Sequence, residues 1–161
     1  MSSILKRFKK GISNDKIKLL DVCEIEGCLD NGFVPSIVYD IYLKKPFKNI
    51  GWCDLRIGMN DEMYYYGNIG YFIDEKYRGN GYAQDACKLM FEVAKNKYLL
   101  DDLIITCSPD NIASKKTCEN LHGELIETIN VPSDHWLYKK GEVIKCIFKF
   151  NLEGKHYEKV D

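Results

Sequence analysis

The sequence predicts an α+β domain, with helices packed against a mixed sheet. Three observations predict it. Residues 16–73 read as successive strands separated by turn residues, the apolar period then turns helical over 81–98, and the remainder of the chain alternates strand, helix, strand, strand. No internal repeat, low-complexity linker or compositional break divides the 161 residues, so a single domain over 1–161 is expected.

In chain order, residues 1–11 are basic and read as a short helix or arm. A first strand is expected over 16–24, and 28–35 is turn-rich, with Asp30-Asn31-Gly32 and Pro35. β-branched and aromatic residues mark a second strand over 36–44, which ends in a turn at Lys45-Pro46. A third strand over 50–58 closes on a turn at Asn60-Asp61-Glu62, and a fourth spans roughly 65–73. Over 81–98, Tyr82, Ala86, Leu89, Met90, Val93 and Ala94 share one helical face, with Asp85 near the start and Lys95 and Lys97 near the end, as the helix dipole favours. A short buried strand at 103–107 precedes a second helix at 111–121, which stops at Gly123 as its C′ residue. Strand pattern returns at 124–131 and 143–152, around a polar and aromatic loop. A strand–helix–strand unit is ordinarily a right-handed parallel crossover, and the remaining neighbours are close enough to pair antiparallel.

Composition excludes several function classes. Lys and Arg (23) nearly balance Asp and Glu (24), so a broad nucleic-acid surface is not expected. Seven cysteines include no C-x-x-C pair, and several sit in apolar runs, as at Cys87 and Cys146. They read as small core residues of a reduced compartment, and three scattered histidines supply no metal cluster. No long apolar stretch comes after the basic start, so neither a signal peptide nor a membrane span is expected, and the compartment expected is the cytoplasm.

The informative segment runs from Ile69 through Asp74 to Arg78-Gly79-Asn80-Gly81-Tyr82-Ala83: strand, glycine loop, helix start. The first turn of a helix leaves N–H groups unpaired and favours negative charge, glycine lets the backbone approach a phosphate, and Arg78 adds a fixed cation. A P-loop is excluded because no Lys-Ser or Lys-Thr comes after Gly81. A dinucleotide fingerprint fits poorly, since Gln84 stands where its third small residue belongs.

The segment resembles the coenzyme A motif of the GNAT acetyltransferase superfamily, Gln/Arg-x-x-Gly-x-Gly/Ala, with Arg78, Gly81 and Ala83 at its defined positions. A second element, Ser108 to Gly123 with Asn111, Ser114 and Glu119, resembles the Asn-x-x-Ser-x-x-x-x-Glu helix of the branch containing ribosomal-protein and polyamine acetyltransferases. The resemblance implies a fold with splayed central strands and acetyl-CoA as co-substrate. It implies that Tyr71, Phe72 and Ile73 border the pantetheine arm through main-chain groups, the N–H near Ile73 polarising the thioester carbonyl. The N–H groups from Arg78 through Gly79, Asn80, Gly81 and Tyr82 to Ala83 would hold the pyrophosphate, while Asn111 and Ser114 would reach the coenzyme and Lys115 or Lys116 its 3′-phosphate.

Two departures stand out. Many members carry a tyrosine proton donor where this chain has Cys118, so Cys118, a water, or one of Tyr64, Tyr65 and Tyr66 would act. No glutamate lies in the fourth strand, which leaves Asn68 to orient a water and Asp54 as a weaker base. About a dozen residues separate the first two strands, too few for the family's two helices, so the acceptor side would be open or completed by a second subunit of a homodimer. Simpler readings stand beside these: Cys118 as a buried thiol, Asp54 and Arg56 as a surface ion pair, His122 as a dipole partner, His135 and Trp136 as loop packing. The expected activity is direct acetyl transfer to a primary amine of a small molecule or protein N-terminus. The alternatives are an acyl-CoA-binding or sensory module and a nucleotide-binding protein.

Overall fold

The structure, a computed structural model, describes residues 11–153, so the basic arm expected at the start lies outside the described residues apart from Gly11. Five strands, β1 (Gly11–Ser13), β2 (Ile17–Ile25), β3 (Ser36–Lys44), β4 (Phe47–Arg56) and β5 (Ile69–Ile73), form one antiparallel sheet in sequence order. Three more, β6 (Asp102–Cys107), β7 (Glu124–Asn130) and β8 (Ile144–Asn151), form a second antiparallel sheet in the order β6-β8-β7. Four α-helices are α1 (Asp61–Tyr66), α2 (Tyr82–Asn96), α3 (Ile112–Asn120) and α4 (Trp136–Lys139).

The expected parallel pairing across β5–α2–β6 does not form. The two strands end on different sheets with no ladder between them, which is the splay implied by the family resemblance. α2 buries Ala86, Cys87, Leu89, Met90, Phe91 and Ala94, a stripe wide enough to serve both sheets. Phe91 meets Phe150 of β8 at 5.0 Å between ring centroids, while Ile17, Leu19, Ile41, Cys53, Leu55 and Ile73 close the same core from the first sheet.

Three local expectations are corrected. Residues 60–62 open α1 rather than a turn: Asn60 accepts from the Met63 N–H at 2.9 Å, and Asp61 and Glu62 occupy the first turn, where acidic groups suit the dipole. Tyr64, Tyr65 and Tyr66 therefore lie on a helix, and β5 begins only at Ile69. At the end of α3 the left-handed residue is His122 (φ 61°), not Gly123, whose N–H instead bonds the Cys118 carbonyl at 2.9 Å. Gly123 is required for another reason, since a Cβ there would fall 2.5 Å from the Phe150 ring. The link between β2 and β3 holds only a 3-10 turn at Leu29–Asn31 and an isolated bridge between Cys28 and Phe33, so no helix covers the outer face of the first sheet there.

Candidate functional site

The site begins at the wedge between the sheets. Its closed end is fastened by Asn68. The Asn68 N–H donates to the Ile104 carbonyl at 2.8 Å, and its side-chain oxygen accepts from the Ile104 N–H at 2.9 Å. Its side-chain nitrogen donates to the carbonyls of Arg56 (3.0 Å) and Gly58 (2.9 Å), so one buried amide joins β4, β5 and β6. Beyond it β5 departs from β6. Bonds from Arg56 N–H to the Asn68 carbonyl (2.7 Å) and from Asp74 N–H to the Ile50 carbonyl (2.8 Å) fix the register, so even-numbered residues of β5 bond β4. The main-chain groups of Tyr71 and Ile73 consequently face the gap, as an incoming extended arm requires.

A cavity of about 530 Å³ fills the wedge, within the range of small-molecule sites. Tyr71, Phe72 and Ile73 form its strand wall, Arg78, Gly79, Gly81, Tyr82, Ala83 and Gln84 its glycine loop, and Asn111, Ser114, Lys116, Thr117 and Asn120 its α3 wall. Gly81 sits at the N-cap of α2 with φ 78°, Gly79 has φ 79°, and a Cβ at either would meet nothing within 4 Å. The loop thus combines left-handed backbone, open space and the unpaired N–H groups of a 15-residue helix, the composition of an anion cradle. Arg78 Nε donates to the Ile73 carbonyl at 2.8 Å, with its guanidinium carbon 5.3 Å from the Phe72 ring centre. That brace leaves the two terminal amines to meet an anion.

On the opposite wall, Asn111 caps α3 by accepting from the Ser114 N–H at 3.1 Å, and the Tyr71 hydroxyl donates to Ser114 Oγ at 3.2 Å across the gap. Burial pushes the Tyr71 hydroxyl above the ordinary tyrosine range, with Cys87 adding to the shift. No group of three or more potential metal ligands exists among the described residues. The site's donors are amides, hydroxyls and cations, which suit a phosphorylated ligand rather than a metal.

The model of the acetyltransferase (GNAT) domain matches residues 26–124, spanning both the glycine loop and α3. The chain belongs to the GNAT acetyltransferase family. Among solved structures, it is similar to a GNAT-family acetyltransferase from Bacillus anthracis (19% identity, TM-score 0.58, covering 72% of this chain and 66% of that one). It is also similar to a ribosomal-protein-S5-alanine acetyltransferase from Vibrio fischeri (17% identity, TM-score 0.59, 74% and 63%). The chain thus spans a little under two-thirds of the length of these two relatives. A third is RimL, a ribosomal L7/L12 alpha-N-protein acetyltransferase in complex with coenzyme A (13% identity, TM-score 0.66, 91% and 100%). A search of curated proteins finds no relative. At such identities the structures establish the shared GNAT fold.

Within the GNAT frame, the site residues expected from sequence separate into two groups. Tyr71, Phe72, Ile73, Arg78, Gly79, Gly81, Tyr82, Ala83, Asn111 and Ser114 all line the cavity, joined by Gln84, Lys116, Thr117 and Asn120. Asn80 turns its side chain back onto the carbonyls of Tyr77 (3.0 Å) and Arg78 (3.3 Å), where it shapes the loop and leaves only its main chain for a ligand. Of the two lysines considered for a phosphate, Lys116 lines the cavity.

The catalytic candidates lie elsewhere. Asn68 is 3% exposed with its amide spent on the seam, so it holds the wedge rather than a water. Cys118 is fully buried, and the neighbouring Cys107 thiol together with burial raises its pKa, while Cys107 is lowered in turn. The Asp54–Arg56 pair is internal, not superficial. Arg56 Nε and Nη2 reach the two Asp54 oxygens at 2.8 and 3.1 Å, Nη1 reaches the carbonyls of Tyr66 (3.1 Å) and Gly67 (3.0 Å), and the Tyr66 ring covers the guanidinium at 3.4 Å. Burial raises the Asp54 carboxyl against the lowering pull of Arg56. Gly70 permits the arrangement, since a Cβ there would stand 2.5 Å from both side chains. His135 is likewise occupied: Nδ1 accepts from the Leu137 N–H at 3.1 Å, which leaves the proton on Nε2 facing the Glu62 carboxylate at 2.7 Å. Phe33, Tyr66 and Trp136 pack together beside it, joining the short β2–β3 link to α1 and α4.

Proposed function

We propose that this GNAT domain binds acetyl-CoA and transfers its acetyl group directly to a primary amine of a small molecule or a protein N-terminus, in the cytoplasm. The observation that carries the reading is the wedge itself: an unladdered edge of β5 running into a two-glycine loop at the start of α2. In this reading Tyr71 and Ile73 pair with the pantetheine arm through main-chain groups, and the Ile73 N–H meets the thioester oxygen. A preorganised donor of that kind contributes about 2.7–4 kcal/mol to the transition state. Gly79, Gly81 and the first N–H groups of α2 hold the pyrophosphate, Arg78 and Lys116 supply charge, and Asn111 and Ser114 meet the arm from α3. Holding amine and thioester in contact is the main contribution asked of the protein. The RimL structure, an α-amino acetyltransferase with coenzyme A, supports a protein N-terminus among the acceptors. The Trp52–Phe72 cross-strand pair, each residue 44% exposed on the uncovered sheet face, supports an acceptor side open enough for a chain end.

A second reading, an acyl-CoA-binding module without turnover, is favoured by one observation: no carboxylate or histidine is among the cavity-lining residues. Calorimetry with acetyl-CoA on wild type and Gly81→Asp tests the coenzyme site, and thiol release with a panel of amines and N-terminal peptides separates the two readings. Aspartate at an N-cap suits the helix and tolerates the left-handed backbone better than most residues, so the variant should fold while repelling phosphate. Affinity is expected to fall at least tenfold, roughly the effect of 1.4 kcal/mol. Absence of binding in wild type would sink both readings.

A further inference from the structure

The GNAT pattern places a tyrosine proton donor on the helix after the sixth strand here, and this chain has Cys118 there. That thiol is fully buried and is not among the cavity-lining residues, so it cannot meet a leaving sulfur. The titratable side chains of the cavity wall are Tyr71, Arg78, Tyr82 and Lys116. Tyr82 is the first residue of α2, beside the phosphate cradle, and Arg78 belongs to the same loop. Lys116 lines the same cavity, and in the acetyl-CoA reading its charge serves the phosphates. Tyr71 remains, the one whose hydroxyl crosses the gap from β5 to α3.

Its position matters as much as its chemistry. Side chains on a helix lean toward its N-terminus, so a tyrosine at 118 would direct its ring back over the turn that holds Ser114. The Tyr71 hydroxyl lies 3.2 Å from Ser114 Oγ, on that same turn, delivered from the facing strand. The geometry points to Tyr71 as the group that donates its Oη–H to the departing CoA sulfur. This rests on the acetyl-CoA reading above. The amine nitrogen forms the new bond to the acetyl carbon, the C–S bond breaks with its electron pair going to sulfur, and the Tyr71 proton passes to that thiolate to give CoA thiol. The proton shed by the acylated amine passes to solvent, from which the phenolate is reprotonated. Ser114, freed to rotate, donates to the phenolate while it is charged. Burial keeps Tyr71 protonated, so the hydroxyl holds its proton until the thiolate forms.

Two measurements test the assignment. The first needs no acceptor: the ultraviolet absorbance of the thiolate is titrated for CoA bound to wild type and to Tyr71→Phe. Loss of a hydrogen bond to the charged sulfur is expected to raise the bound thiol's pKa by on the order of one unit, a tenfold shift. The second compares turnover with any accepted amine in wild type, Tyr71→Phe and Ser114→Ala. kcat should fall about 100-fold in Tyr71→Phe with the acetyl-CoA Kd nearly unchanged, and less than about tenfold in Ser114→Ala. An unshifted bound-thiol pKa overturns the assignment, as does a kcat within threefold of wild type or an equal loss in the two variants. Failure of wild type to bind CoA overturns the coenzyme reading and this inference with it, whereas CoA binding with an unshifted thiol removes Tyr71 alone.

Discussion

Replacing Asn68 by alanine tests how the wedge is held. Truncation leaves the buried Ile104 N–H without its 2.9 Å acceptor and takes one donor each from the carbonyls of Arg56 and Gly58. A stranded buried N–H costs about 1–3 kcal/mol and each of the two lost neutral bonds about 0.5–1.5, so the variant should lose about 2–6 kcal/mol. The main-chain bond from Asn68 N–H to the Ile104 carbonyl survives, which keeps the loss below complete unfolding. Urea denaturation measures it as a lower midpoint with an unchanged slope. Asn68→Asp separates the two ends of the amide: it keeps an acceptor for Ile104 but sets a carboxylate against two carbonyls, and should be less stable than alanine. A loss below about 1 kcal/mol in Asn68→Ala, or an aspartate variant more stable than it, would refute the seam. Acetyl-CoA affinity measured on the same variants shows whether the seam also sets the gap's width.

Arg56→Met strands the buried Asp54 carboxylate and should cost about 3–5 kcal/mol at neutral pH, whereas Asp54→Leu with Arg56→Met should recover most of it. Because burial holds the Asp54 pKa above its unfolded value, the native single variant binds more protons over that window, and its deficit should shrink as pH falls toward about 4; a deficit independent of pH would contradict this. Under native conditions a thiol reagent should modify two cysteines quickly, the exposed Cys23 and Cys28, and reach the five buried ones only on unfolding; a third fast thiol would contradict the packing around Cys107 and Cys118.

The glycine loop was legible because its signal is local: strand, Arg78, two glycines and a helix start lie within a few consecutive residues, and backbone chemistry alone gives them meaning. α3 was legible for the same reason, through Asn111 and Ser114. α1 was partly legible. Asn60, Asp61 and Glu62 have the composition of a helix start, but the tyrosines after them favour strands, and a six-residue helix is too short to display a period. The contacts that decide chemistry were not legible. Asn68 meets Ile104 across 36 positions and Tyr71 meets Ser114 across 43, and neither pair leaves a trace in a single chain.

The Asp54–Arg56 pair shows how such a contact reverses a reading. Asp54 and Arg56 share one face of β4 by alternation, and the sequence suggests a surface ion pair there. At Trp52 and Phe72 the sheet face is open, since each is 44% exposed. At Asp54 and Arg56 the face is instead closed by Tyr66, Gly67 and the bare Cα of Gly70, all supplied by the α1–β5 segment rather than by the β2–β3 link. The chain therefore seals the sheet over the Asp54–Arg56 pair and leaves the Trp52–Phe72 end open beside the cavity wall, of which Phe72 is part. An acceptor arriving on that side would meet aromatic surface and main-chain edge, not a preformed ion site, so its selection would rest on shape and apolar contact more than on charge.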